Sequence, residues 1–420
     1  MLDHGTKPGA AMPEVTARLL DLTRLVSRAG RVPTGVDRVE LAYLRALTQN
    51  SVACFGIVRT TLGYVLLDRD GMLALTARLA GREDWGSADV LSLLARSKTV
   101  DVRKAESDLR RVALARCRPM RLAKMLRTHL PRGFGYLNVG HSNLRRQIFD
   151  AVKSAGARQS TVLIHDVIPL DYPEFQRAGT PAKFRARLKV VAAKADVIIY
   201  NSRHSRQQAE RIMSDWGDVP TGVVAHLGVT PVQPDQRKIP ENLDLRKPYF
   251  VTVGTIEPRK NHALLLDVWE ELAKTRPTQH MPQLVICGAR GWNNEEVFRR
   301  LDALPRGGMV IECPGLSDAA VAAVVHGARA LLFPSLAEGF GLPPIEAAIL
   351  GVPVVCLDLP VYRETMGEFP IYVKDPDRYQ WCLEIKSLIT GPMAEQMEPA
   401  DEPFQHQSWD DHFNTVLRFT

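Results

Sequence analysis

The chain has 420 residues, 45% of them hydrophobic and 24% charged, and a formal net charge of +7. Its length exceeds one ordinary core and favours two domains of about 150–200 residues each. The composition is that of a soluble globular protein, and no apolar run is long enough to span a bilayer. The N-terminal stretch MLDHGTKPGAAMPEV lacks the apolar core of a signal peptide, so a cytoplasmic location is expected. The six cysteines, Cys54, Cys117, Cys287, Cys313, Cys356 and Cys382, are scattered, with no CxxC and no histidine at ligand spacing. Buried thiols are expected rather than a disulfide framework or a zinc site.

In chain order, ARLLDLTRLV (17–26) reads as a strand and GVDRVELAYLRAL (35–47) as a helix opened by a loop in which Gly35 permits the turn. SVACFGIVRT and GYVLLDR read as two strands of a hairpin. A helical insert over about 67–135 follows. Its segment 96–132 holds twelve basic residues against three acidic ones. Leu122, Met125, Leu126 and Leu130 recur there at helical spacing, which predicts an amphipathic basic helix. Such a helix is either a solvated face packed on a core or a surface for anionic lipid. Nucleic acid is not expected, because no aromatic interleaving or nucleic-acid motif accompanies the charge.

GYLNVG, STVLIHDVIPL and ADVIIYNS then read as strands with helices between, and GVVAHLGV closes the first domain. Residues 230–248, rich in proline and charge, read as the interdomain linker. The second half alternates short apolar strands with helices: PYFVTVG, QLVICG, MVIEC, ALLFPS and PVVCLD, with Asn261 and Ser317 as helix N-caps. This is the pattern of a parallel sheet covered on both faces. Two such doubly wound domains place their ligands at strand C-terminal ends, in the cleft between them.

Three constellations carry chemistry. In SLAEGFGLPPIEA (335–347), Glu338 falls in the loop before a helix and Glu346 in that helix's first turn, with Pro343 and Pro344 suited to the helix start. Gly339, Phe340, Gly341 and Leu342 offer backbone N–H groups beside a helix N-terminus, a ready anion site. Two carboxylates flanking a diphosphate suit the hydroxyls of a nucleotide-sugar, ribose on one side and the transferred sugar on the other. In VGTIEPRKNH, Arg259 and Lys260 precede a helix whose dipole opposes them, a conflict that a bound anion removes; they could neutralise a departing diphosphate. In TVLIHDVIPLDYPEF, His165 and Asp166 end a strand and face the cleft. His141 in YLNVGHSN lies near it too.

Together these pieces resemble one family. EGFGLPPIEA looks like the E-x7-E motif of retaining GT-B glycosyltransferases in the large family 4. GTIEPRKNH, CGARGW, PGLSDAAVAAVVHGARALLFPS and GVPVVCLDLPVYRE are similar to that family's C-terminal domain, and HDVIPLDYPE, ADVIIYNSRHSR and HLGV to its N-terminal domain. Bacterial mannosyl- and rhamnosyltransferases of surface-polysaccharide synthesis look closest.

The resemblance implies a GT-B fold: a Rossmann-like acceptor-side domain over 1–235, a Rossmann-like nucleotide-sugar domain over 236–400, and a helix at 401–420 returning to the first domain. It implies that Glu338 holds the donor sugar, Glu346 the ribose and Gly339–Leu342 the sugar and diphosphate. It further implies that Arg259 and Lys260 hold the diphosphate, that Gly315 and Leu316 bracket the base, and that His165 faces the transferred sugar. Where many members place an arginine after the strand-ending glycine, Thr255 follows Gly254 here, and Arg259 is taken to supply that charge. Gly35, Asp166 and His141 fall on the acceptor side. No metal or cofactor is implied. The expected partners are a nucleotide diphosphate sugar, with mannose on guanosine diphosphate as the first guess, and a glycan or lipid-linked acceptor, with peripheral contact to the inner membrane face through 96–132. A non-catalytic scaffold that binds nucleotide-sugar or glycan is the alternative.

Overall fold

The computed structural model describes residues 15–241, 243–305, 307–390 and 404–420. The N-terminal stretch read for a signal peptide and the boundary placed at 400 lie outside the described residues.

Eight strands form the first sheet: β1 (Ala17–Asp21), β2 (Ala53–Thr60), β3 (Gly63–Leu67), β4 (Ala115–Cys117), β5 (Gly135–Asn138), β6 (Gln159–Ile164), β7 (Val197–Tyr200) and β8 (Thr221–Val224). Their order is β4-β3-β2-β1-β5-β6-β7-β8. Pairing is parallel from β2 to β8, while β3 and β4 add an antiparallel edge. The parallel core is covered on both faces: every residue of β1, β5, β6 and β7 is buried. Each fully buried Leu, Ile or Val there contributes about 1.5–3 kcal/mol of transfer free energy.

Two expectations for this half are corrected. The strand expected over 17–26 stops at Asp21, because the Asp21 carboxylate accepts the Thr23 backbone N–H at 3.0 Å and turns the chain into a short helix, Thr23–Ser27. The insert at 67–135 is not purely helical, since it contains β4, paired on β3. Its cations also divide into two groups. Lys98, Arg110 and Arg111 pair with Glu106, Asp89 and Asp108 on and around the helix Val100–Arg111. Arg116, Arg118, Arg121, Lys124, Arg127 and Arg132 are exposed, around a helix Leu122–His129 that buries Leu122, Met125 and Leu126.

The second sheet holds β9 (Tyr249–Val253), β10 (Gln283–Cys287), β11 (Val310–Glu312), β12 (Leu331–Phe333), β13 (Val354–Leu357) and β14 (Ile371–Val373). It is parallel throughout, in the order β11-β10-β9-β12-β13-β14. The chain runs outward from β9 to β11 and then returns to β12 on the other side of β9. The crevice beyond the ends of β9 and β12 is therefore the topological switch point, where open parallel sheets bind ligands.

One buried apolar cluster joins the two halves. It contains Tyr43 and Leu44 beside the first sheet, Phe333, Phe340 and Tyr362 of the second, and Phe413 and Val416 of the helix Trp409–Val416. That last helix is fastened to the first half by Tyr43, whose hydroxyl lies 2.8 Å from His412 Nε2, while His412 Nδ1 donates to the His226 carbonyl. Among the described residues no helix is long and apolar enough to cross a membrane.

Candidate active site

The switch point of the second sheet brings together residues 78 positions apart. Beyond β9, Gly254 takes φ 144° and the chain enters a single 3-10 turn, Pro258–Lys260. Beyond β12, Ser335 to Gly341 form a loop, and Gly341 at φ 87° starts the helix Leu342–Ile349. Glu338 sits between the two cations: its Oε1 lies 2.7 Å from Arg259 and 2.5 Å from Lys260. Arg259 also bonds Glu257 at 2.7 Å and the Ala337 carbonyl at 2.8 Å. The Lys260 ammonium stands 4.3 Å over the Phe333 ring. Its stem crosses Gly254 so closely that a Cβ there would meet Lys260 Cε at 3.3 Å.

The sequence required an anion to resolve two cations at a helix start. In this structure Glu338 is that anion. Burial raises its pKa, but Arg259 and Lys260 together outweigh burial and hold it at about 2. Burial lowers the pKa of Lys260, and Glu338 offsets part of that. Burial also opposes the Arg259 charge, while Glu338, Glu257 and Asp166 more than restore it.

The loop Glu338–Leu342 meets the first half directly. A Cβ on Gly339 would lie 2.4 Å from the His165 carbonyl, so only glycine fits. The Gly339 carbonyl accepts the Ser202 and Ser205 hydroxyls, at 3.0 and 3.1 Å. Phe340 is buried and tilted against His226. Gly35 does not supply a turn; it is the first residue of the helix Gly35–Gln49, and a Cβ on it would meet Leu342 Cδ1 at 3.2 Å.

His165 is buried with its Nε2 donating to the Val139 carbonyl at 2.7 Å, and burial lowers its pKa to about 4. Its ring is thus turned to its own sheet, and its backbone carbonyl meets Gly339. His141, at φ 55°, stands edge-on to His165 and contacts the Leu163 carbonyl at 3.0 Å, with its pKa pushed well down, chiefly by burial. Asp166 is half-buried, accepts the Ile168 N–H, and has its pKa raised by burial.

Glu346 lies on the other side of the loop. It is not in the first helical turn. The helix already starts at Leu342, with both prolines inside its opening, so Glu346 stands one turn further in. Burial raises its pKa and Arg38 opposes the rise. Arg38 reaches from the helix Gly35–Gln49 to Glu346 at 2.7 Å and to Asp318 at 2.6 Å. These three groups border a small slit of about 30 Å³, walled by Val253, Val321 and Val325 among others. Gly315, at φ 75°, and Leu316 precede the Ser317 N-cap of the helix Asp318–His326. Thr255 follows Gly254 and leaves no room for a side chain on Gly291, where a Cβ would meet Thr255 Cγ2 at 2.7 Å. Asn261 is the N-cap of its helix but makes no side-chain cap bond, because it adopts the left-handed conformation.

Sequence reasoning passed over Arg38, Glu257, Ser202, Ser205 and Glu364. Glu364 accepts the Arg203 and His204 N–H groups and pairs with His226, stitching the halves together. Arg38 lay inside a motif already singled out, but its partners are about 280 and 308 positions away, beyond any local signal.

Residues 234–401 match the family described as Glycosyl transferases group 1. The chain carries a group 1 glycosyltransferase domain. The chain is similar to the serotype-specific mannosyltransferase WbdA of Escherichia coli, 32% identical over 237 residues, which is 53% of this chain and 29% of WbdA. The O-antigen chain mannosyltransferase RfbU of Salmonella typhimurium is 26% identical over 243 residues, 56% of this chain and 63% of RfbU. The match thus spans less than a third of WbdA. Among solved structures, Anabaena Alr3699/HepE in complex with UDP and glucose aligns over 90% of both chains at TM-score 0.58 and 15% identity. The α,α-trehalose 6-phosphate synthase of Burkholderia multivorans aligns over 97% of this chain and 93% of its own at TM-score 0.56 and 13% identity. The fold is GT-B.

Proposed function

We propose that this protein is a retaining glycosyltransferase that moves a sugar, mannose from GDP-mannose, onto a glycan or lipid-linked glycan in surface-polysaccharide synthesis. The observation that carries this reading is the buried Glu338 shared by Arg259 and Lys260 at the switch point of a group 1 transferase domain. The names of WbdA and RfbU as mannosyltransferases favour mannose.

In this reading the diphosphate takes over the two cations, and Glu338 turns to the hydroxyls of the donor sugar. The exchange swaps one set of charge-assisted hydrogen bonds for another, so the cations remain paired throughout. As the glycosidic oxygen departs, charge grows on the diphosphate beside Arg259 and Lys260, which stabilise it in place. The acceptor hydroxyl attacks the anomeric carbon from the face that the diphosphate leaves, without a metal, and its proton passes to the departing diphosphate oxygen as the bond to that oxygen breaks. Glu346 takes the ribose, and Gly315 and Leu316 bracket the base. The exposed cations around Leu122–His129, with Met120 at 95% exposure between Arg118 and Arg121, hold the protein at an anionic membrane.

The test is a thermal-shift panel of GDP, UDP, dTDP and ADP with their sugars on wild type and Glu346→Ala. A ligand at about a hundred times its dissociation constant adds roughly 2.7 kcal/mol. A GDP-specific shift, weakened in the variant, is expected. No shift with any nucleotide would move the protein to a non-catalytic role.

A further inference from the structure

A second cavity, of about 320 Å³, has Glu338 in its wall. Its walls come from both halves: the loop after β6, the start of the helix Arg203–Ser214, and the second-sheet loops at 336–338 and 359–361. The volume is at the lower end of the range for small-molecule sites, about 300–1,000 Å³. Three properties define what it can hold.

The first is charge. Asp166, Asp171 and Glu338 line the cavity, and no lysine or arginine does. The cations nearest to these acids are already engaged, Arg211 with Asp171 at 2.5 Å, and Arg259 and Lys260 with Glu338. His204 also lines it and is shifted by burial toward the neutral form. A phosphate or carboxylate placed here would face carboxylates without a partner, whereas hydroxyl donors would find acceptors.

The second is an aromatic platform. Tyr172 lines the cavity and is 38% exposed. Its ring is stacked on Phe175 with centroids 5.6 Å apart and planes within 8°. The platform is anchored from across the cleft: Trp292 Nε1 donates to the Phe175 carbonyl at 2.9 Å, and Asn293 Nδ2 to the Gln176 carbonyl at 2.8 Å. A fixed, partly open aromatic face suits the apolar C–H face of a pyranose ring.

The third is position. Glu338 is the shared wall between this cavity and the two cations assigned to the diphosphate. A sugar in the cavity therefore lies against the carboxylate that the transferase reading assigns to the transferred sugar.

We infer that this cavity is the acceptor subsite and that it takes an uncharged pyranose, stacked on Tyr172 and hydrogen-bonded by Asp171 and Gln208, to the exclusion of phosphorylated or acidic sugars. The inference rests on the transferase reading above. It goes beyond that reading by assigning the acceptor's chemical class and the residues that select it.

The experiment is saturation-transfer NMR on the full chain with GDP present. The probes are neutral methyl hexopyranosides and hexobioses, compared with their 6-phosphates and the matching uronic acids. Binding of at least one neutral sugar and of none of the acidic ones is expected. Tyr172→Ala and Gln208→Ala should each weaken that binding tenfold or more while leaving the GDP-induced thermal shift intact. Both side chains are at least partly exposed, so neither variant should compromise folding. Asp171→Asn with Gln208→Lys should admit a 6-phosphate.

Preferential binding of acidic sugars would overturn the assignment. So would unchanged neutral-sugar binding in both single variants, a loss of the GDP shift in them, or a GDP shift without binding of any neutral sugar. Absence of any nucleotide shift in wild type is the separate failure of the transferase reading, and the assignment falls with it.

Discussion

Glu338 carries more of the argument than any other side chain, because two cations depend on it. Removing one partner of a buried ion group leaves uncompensated charge and costs about 3–5 kcal/mol. Here two positive charges would lose a shared partner. Glu338→Ala is therefore expected to lower stability in the ligand-free protein, and GDP-mannose should restore more of it than in wild type, since the diphosphate replaces the missing anion. Turnover should still fall at least tenfold, about 1.4 kcal/mol in the barrier. Equal donor stabilisation of variant and wild type in a thermal shift would remove the exchange step from the mechanism. The residue types and their spacing were legible in the sequence. The need for an anion at Arg259 and Lys260 followed from the helix dipole alone. That Glu338 itself meets this need was not legible, because pairing residues 78 positions apart requires knowing that β9 and β12 are neighbours. The partner of the His165 ring was not legible for a related reason: it is the Val139 carbonyl at a neighbouring strand's end.

At the scale of elements, three helices meet at Arg38: Gly35–Gln49 carries it, and Asp318–His326 and Leu342–Ile349 supply its acids. The pair with Asp318 is half open to solvent, so its net contribution to folding is small, about 0–1 kcal/mol. Its effect on Glu346 is larger, because burial raises that carboxyl's pKa and Arg38 is what opposes protonation. Arg38→Ala is thus expected to weaken GDP binding several-fold, more at pH 6 than at pH 8. Calorimetric titration at both pH values checks this, and an unchanged, pH-independent affinity would count against Glu346 as the ribose ligand.

Elements were the most legible level. The continuous apolar runs of the second half, such as QLVIC and VVCL, could only be strands buried on both faces, and they are. Boundaries failed where a side chain intervened, as when Asp21 caps Thr23, and where glycine changed hand, as when Gly341 starts its helix early enough to carry Glu346 past the first turn.

The molecule as a whole contains buried groups whose pKa values are shifted from those in water, and that sets its response to acid. His165 and His412 are shifted by burial to about 4 and His262 to about 3. Their unfolded value is about 6.5. Between that value and the folded one, the unfolded chain binds the extra protons, so stability falls as pH falls, by up to about 1.4 kcal/mol per pH unit for each such group. Glu338 acts later: its stabilisation is complete above an unfolded value of about 4.3 and is lost only as pH falls toward about 2. Asp21 and Glu40, raised by burial, work in the opposite sense and oppose neutral-pH stability. A decline that begins near pH 6.5 therefore belongs to the histidines. His262 isolates the effect, because it is 1% exposed and neither ring nitrogen has a hydrogen-bond partner. An unsatisfied buried polar group costs about 1–3 kcal/mol, so His262→Leu should match or exceed wild-type stability at pH 7. It should exceed it by a wider margin at pH 5, where only wild type gains a proton at this position on unfolding. Urea unfolding of both proteins at the two pH values measures the margin; a margin that does not widen toward acid would mean that His262 is charged or solvated in the folded protein, and the acid limb would have to be assigned to other groups.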